Sequence, residues 1–283
     1  MPILEDYIPD KPIYFEMRQQ ARRFLSSSMK GNQIASMIVV IVIFAITAYS
    51  FIVSAKWIHL SVPMFFLPVI VGLMLPGVLS GLISGEIQKR SIESLLATPL
   101  SARQLVLAKA LRAVMPVMAT LAAIIVLILI LMLGKLFYGD DSQGDFNSAW
   151  LSIPCGIVIY LVFSFAVTGL SLAVSSVTRS AVASMVSTYG MMMLIYVIIP
   201  AIVTPIFLAI VGQSGNNVAY LASLHPYGMI AIATISNATQ QVNIGGIVLM
   251  IAVGLLVQVL IGYMGLAFAA GRLTDMKRKG IEG

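Results

Sequence analysis

Charge is scarce in this chain of 283 residues: Asp, Glu, Lys and Arg make up 10% of it, against 59% hydrophobic side chains. A soluble domain carries about a quarter charged residues, so a water-soluble globule is excluded and a polytopic membrane protein remains. Cysteine is represented only by Cys155, inside an apolar run. One thiol excludes a disulfide or a Cys-based metal site within a single chain. Histidine is limited to His59 and His225. Neither has an acidic or Cys neighbour at ligand spacing, so both read as interfacial residues rather than metal ligands. No Ser/His/Asp arrangement can be assembled around them. The Gly-x-x-x-x-Gly-Lys-Ser/Thr pattern does not occur. ATP hydrolysis by that phosphate-cradling route is therefore not expected here, and neither an enzyme activity nor a bound cofactor is expected on this chain. The net charge of +6 would point to nucleic acid in a soluble protein. In this chain membrane topology accounts for it, and no nucleic-acid partner is expected.

What is present is a series of long charge-free runs: Gly31 to Ala55, Trp57 to Gly85, Ala113 to Gly134, Phe146 to Thr178, and Ser180 to Gly271. A membrane-spanning helix needs about 20 apolar residues. The first four runs hold one helix each and the last holds two. The reading is an all-α protein with six spans near residues 34–55, 60–85, 113–134, 149–176, 180–211 and 244–271. The first 33 residues are polar and charged, so no cleavable signal peptide is expected before the first span.

The basic residues set orientation. Lys11, Arg18, Arg22, Arg23 and Lys30 precede the first span, and Lys89, Arg90, Arg103, Lys109 and Arg112 lie between the second and third. Arg179 separates the fourth from the fifth, and Arg272, Lys277, Arg278 and Lys279 follow the sixth. Only Lys56 and Lys135 fall on the other side. The positive-inside rule puts both termini in the cytoplasm. Asp10-Lys11-Pro12 is a helix-start signal. Residues 12–30 then read as an amphipathic helix in the cytoplasmic interface, its arginines on lipid phosphates. The segment 212–243 should lie outside and is uncharged. Its short apolar runs, broken at His225-Pro226-Tyr227-Gly228, suggest half-helices dipping into the outer leaflet.

No span centre carries an ionisable side chain, which disfavours an ion-coupled carrier and favours an engine outside the membrane. Gly77, Gly81 and Gly85 recur every four residues in the second span, a small-residue stripe for close helix packing. Tyr49, Tyr160, Ser164, Tyr189 and the run Met191, Met192, Met193 are candidates for lining a pathway. Methionine suits an adaptable apolar pocket, although packing alone also accounts for it.

Residues 86–109 interrupt this apolar pattern with charge. Glu86 and Arg90 sit four apart in the favourable helical order, Lys89 and Glu93 in the weaker one. Pro99 ends that helix, because the residue before a proline avoids helical angles, and a helical pattern then resumes toward Lys109. The segment resembles the stretch between the second and third spans of type-2 ATP-binding-cassette (ABC) permeases. The resemblance rests on Glu86, the pair Lys89-Arg90, Glu93, the run Leu95-Leu96-Ala97-Thr98-Pro99-Leu100-Ser101, and Lys109. Ser91-Ile92 stand where that family commonly has Gly-Thr, a departure expected to stiffen the helix.

The resemblance implies that residues 86–101 are a coupling helix and turn docking on an ATPase subunit, with Glu86, Lys89, Arg90, Glu93, Leu95 and Leu96 as the contact residues. It also implies an elbow helix at 12–30, short outer helices before the last span, a second permease subunit as partner, and ATP and Mg on the ATPase partner. The expected location is a prokaryotic plasma (inner) membrane, and the expected direction is export. The rival readings are an ATPase-independent channel or ion-coupled carrier, and a membrane scaffold driven by an ATPase without moving cargo.

Overall fold

The computed structural model describes residues 62–88, 92, 100–111, most positions between 117 and 129, 143–211, 222–226, 228–230 and 244–282. Expectations for the first span with Tyr49, the interfacial helix at 12–30, His59, and Lys89, Arg90, Glu93, Leu95 and Leu96 lie outside the described residues. So does most of 212–243.

All regular structure among the described residues is helical. In chain order the helices are α1 (Val62–Leu79), α2 (Gly81–Gln88), α3 (Ala102–Ala110), α4 (Gln143–Val177), α5 (Ala181–Met193), a π turn at Leu194–Ile198, α6 (Ile199–Val211) and α7 (Ile244–Glu282). Four stretches among the described residues are long and apolar enough to cross a membrane: Pro68–Gln88, Ile153–Val177, Ala181–Phe207 and Val248–Arg278. Positions between 117 and 129 are helical as well, where the third span was expected. The molecule is a polytopic helical membrane protein.

Helix length carries these elements past the hydrocarbon. At about 1.5 Å per residue, the 39 residues of α7 outrun a hydrocarbon core of about 30 Å. The helix therefore continues beyond Gly271, the expected end of the sixth span, and Arg272, Lys277 and Arg278 ride on the same rod. Local chemistry sets several ends. Ser180 caps α5 by accepting the Ala183 N–H at 3.1 Å. Ser101 and Gln104 form a reciprocal capping box at the start of α3, each side chain taking the other's backbone N–H.

α7 packs along α4, and α1 packs on α4 from another side. One apolar core joins Ile70, Val71, Leu75 and Leu79 of α1 to Val117 and Leu121, to Ile159, Tyr160 and Phe163 of α4, and to Met229 and Ile230. A second, smaller core lies at the other end of the bundle, where α2, α3, α4 and α7 meet.

The break between α1 and α2 has an identifiable cause. Ser175 of α4 inserts its hydroxyl at Ser80, donating to the Ser80 carbonyl at 2.6 Å and accepting the N–H groups of Ile83 and Ser84 at 3.2 and 3.1 Å. In an uninterrupted helix the Ser84 N–H would go to that same carbonyl. A side chain wedged into the helical ladder is one of the recognised causes of a kink. Pro76, four residues earlier, contributes a second. Ser175→Ala takes the acceptor from two buried N–H groups at once, while the Ser80 carbonyl keeps the Ser84 hydroxyl at 2.6 Å. With a buried unsatisfied group costing about 1–3 kcal/mol, the variant is expected to lose stability at the upper end of that range. Thermal unfolding in detergent, with exposed Ser187→Ala as the control, reads the difference.

Candidate functional site

The charged segment enters the bundle at the second core. Glu86 lies in the last turn of α2, and Lys109 in the last turn of α3, where a cation also faces favourable backbone carbonyls. The Lys109 ammonium donates to Glu86 Oε1 at 2.6 Å. Lys109 is only 1% exposed, whereas the Glu86 side chain keeps 26% of its surface open. The buried face of α3 offers Ala102, Leu105, Val106 and Ala108 beside that lysine, while Arg103, Gln104 and Leu107 face outward. Those apolar residues pack with Ile83 of α2, Leu172 of α4, and Ala269, Ala270 and Leu273 of α7. Lys277 of α7 donates to the Leu100 carbonyl at 3.1 Å, tying the rod to the turn that precedes α3.

Ile92, which stands where the resemblance would place threonine, packs against this same cluster. Ile92 is thereby attached to the ends of three apolar membrane helices, α2, α4 and α7, and to the short helix α3. Among the described residues this region holds one buried ion pair and one apolar anchor. No group of three His, Cys, Asp or Glu occurs among the described residues at metal-binding spacing.

Of the pathway candidates among the described residues, Tyr160 belongs to the larger core and Met192 packs against it. The Tyr160 hydroxyl is buried and donates to the Val117 carbonyl at 2.8 Å, while Ser164 donates to the Tyr160 carbonyl of its own helix at 2.7 Å. The Tyr189 hydroxyl donates to the Leu73 carbonyl at 2.6 Å, joining α5 to α1. Met192 packs on the larger core, and Met191 and Met193 are exposed. A side chain at Gly81 would meet the Ala181 Cβ at 3.5 Å, one at Gly77 the Tyr189 hydroxyl at 4.0 Å, and one at Gly85 nothing within 4 Å.

A second constellation had no strong sequence signal. Tyr196 donates its hydroxyl to Gln258 Oε1 at 2.6 Å, and Gln258 Nε2 donates to the Leu224 carbonyl at 3.2 Å. Because a carbonyl can only accept, that second bond fixes which end of the amide is nitrogen. The Tyr196 ring stands edge-on to Phe163 at 5.3 Å and to His225 at 5.9 Å. Pro200 has no N–H to give the carbonyl four residues before it, which is that of Tyr196. The π turn sits at this point, with the Ile199 N–H reaching back to the Leu194 carbonyl, and His225 hydrogen-bonds the Tyr196 backbone. Two signals were available in the sequence. Gln258 is the sole carboxamide in the run 244–271, and Tyr196 lies four residues before a proline.

Burial pushes the His225 imidazole below its ordinary value of 6.5, opposed in part by the hydrogen bond to the Tyr196 backbone. A depressed imidazole contributes its stability fully above 6.5. It loses that contribution as pH falls through the lowered folded value, because the unfolded chain takes up its proton first. The protection factors of amides at 222–226 and 228–230, with the base-catalysed intrinsic rate divided out, are expected to fall on acidification below 6.5 and to stay flat above it. His225→Phe should abolish that pH dependence.

The long apolar helices, with Glu86, Lys109 and Lys277 at their ends, define an integral membrane protein. A family model described as ABC-2 family transporter protein matches residues 20–276, and the chain belongs to that family. It is an ABC transporter permease. Among curated proteins, none matches the chain.

Proposed function

We propose that this chain is the membrane permease subunit of a type-2 ABC exporter whose ATP and Mg are bound and hydrolysed on a separate ATPase subunit. The observation that carries the coupling role is the anchoring of residues 86–109: Glu86 on buried Lys109, and Ile92 on the core shared by α2, α3, α4 and α7. A push on the charged segment from the ATPase side then reaches several spans at once instead of dissipating in a loop. Lys89, Arg90 and Glu93 supply polar contacts to the ATPase, and Leu95 and Leu96 fill its groove. Glu86 serves as the hinge pin of that segment.

Two permease subunits, identical or different, pair around a central pathway. The outward face of α5 supports this, since Val182 and Val186 are 75% and 65% exposed within one chain. Six spans, with both termini in the cytoplasm of a prokaryotic plasma membrane, complete the reading. A tagged chain co-expressed with a Walker A ATPase from an adjacent reading frame is expected to co-purify with it. A chain that captures no nucleotide-binding partner would support an ATPase-independent channel or ion-coupled carrier instead. Capture and coupled hydrolysis with no cargo moved into vesicles would identify an ATPase-driven scaffold.

A further inference from the structure

A cavity of about 220 Å³ opens beside the Tyr196–Gln258 pair. Its walls come from Ile195, Ile199 and Val203 around the π turn and α6, and from Val257 and Ile261 of α7, with Leu224 and His225 at one end. Both long walls belong to stretches apolar enough to cross a membrane, and an apolar crevice left open on the side of such helices is suited to meet acyl chains. Ile199 and Val203 each keep 45% of their surface open at that mouth.

Most polar groups in the lining already have partners. The Tyr196 hydroxyl is given to Gln258, the Gln258 amide to the Leu224 carbonyl, and His225 to the Tyr196 backbone. No Asp, Glu, Lys or Arg lines the space. A charged or strongly hydrogen-bonding ligand would find no unspent partner here beyond the Thr204 hydroxyl, the free lone pairs of Tyr196 and one N–H of Gln258. An apolar occupant costs nothing in lost hydration. Apolar protein cavities of about 150 Å³ take up benzene, and this one is larger.

We propose that this cavity is a binding site for the acyl chain of a bilayer lipid. The chain end lies between α6 and α7 against the Tyr196–Gln258 pair, and the headgroup stays outside. The site does not depend on the coupling reading: a permease uncoupled at Glu86 still binds the chain.

Photolabelling tests the proposal. The full chain, purified in detergent, is illuminated with phosphatidylcholine carrying a diazirine at the acyl terminus, and the labelled peptides are mapped by mass spectrometry. Label on Val203 and Val257 is expected to saturate with probe concentration, whereas label on Ile210, 79% exposed on the open face of α6, rises linearly. A headgroup diazirine should leave both cavity residues unlabelled. Val257→Trp fills the space and is expected to lower cavity labelling about ten-fold, the fall that loss of two buried methylenes produces. The saturation measurement needs no variant, so misfolding of Val257→Trp cannot hide the answer. Linear, unsaturated label at Val257 would overturn the proposal. So would absence of label there while Ile210 is labelled, the pattern left if a second copy of the chain covers the cavity.

Discussion

Glu86→Ala is expected to destabilise the purified chain by about 3 kcal/mol or more, the range measured when one partner of a buried ion pair is removed. The size follows from which partner is left behind. Lys109 is 1% exposed, so its ammonium loses the Glu86 carboxylate at 2.6 Å with no water to replace it. The reverse variant, Lys109→Met, leaves a carboxylate that keeps 26% of its side chain open, and it should cost less. Removing both charges together, Glu86→Leu with Lys109→Met, is expected to restore most of the loss, because an apolar pair of similar volume often matches or exceeds a buried ion pair. Thermal unfolding of the native chain, Glu86→Leu, Lys109→Met and the double variant in one detergent gives the cycle. Single-variant losses that simply add in the double variant would mean the two groups are not coupled.

The second large effect belongs to glycine. Gly169 of α4 and Gly262 and Gly265 of α7 bring two helix backbones into contact. A Cβ built on Gly169 would overlap the Gly262 carbonyl and lie 2.8 Å from its Cα. One on Gly265 would overlap the Gly169 carbonyl group and lie 2.9 Å from the Leu170 nitrogen. Backbone cannot yield as a side-chain tip does, so Gly169→Ala and Gly265→Ala are each expected to cost at least the 1–3 kcal/mol of ordinary overpacking, about 3 kcal/mol being the nearer figure. The control is Gly85→Ala, where nothing lies within 4 Å. There helix propensity should dominate and stabilise by about 0.5–1 kcal/mol. Unfolding temperatures of the three variants check the ordering. Equal effects at Gly85 and Gly265 would contradict the packing described.

Much of the architecture could be read from the chain. Charge-free runs locate spans because lipid penalises unpaired polar groups, and this penalty acts on composition alone. The helices at 143–177, 181–211 and 244–282 fall on the last two of those runs, the final run holding two of them. Contacts between helices are another matter. Gly77, Gly81 and Gly85 share the spacing of a packing stripe, but spacing gives a face and not the neighbour that fills it. The backbone approach of α4 to α7 uses Gly169 against Gly262 and Gly265, a pairing set by two helices far apart in sequence.

Hydroxyl groups show the same limit. Ser175 reads as one of many span serines until α4 is laid beside the break at Ser80. Glu86 and Lys109 were both visible as charges at span ends, yet the distance between them required the fold. The departure at Ile92 was legible as a difference. Its meaning, an apolar anchor on the core below, emerges only with the neighbours in place.

The central claim is that the segment 86–109 transmits ATPase work into the spans through its anchor on Lys109 and Ile92. The most direct measurement is the ATP hydrolysis rate of the co-purified complex, reconstituted in liposomes, for the native chain and for Glu86→Leu/Lys109→Met. The account predicts a variant that folds and captures the ATPase at the native ratio, while the hydrolysis rate loses its dependence on the permease. A variant complex whose permease-dependent hydrolysis equals the native rate would contradict it.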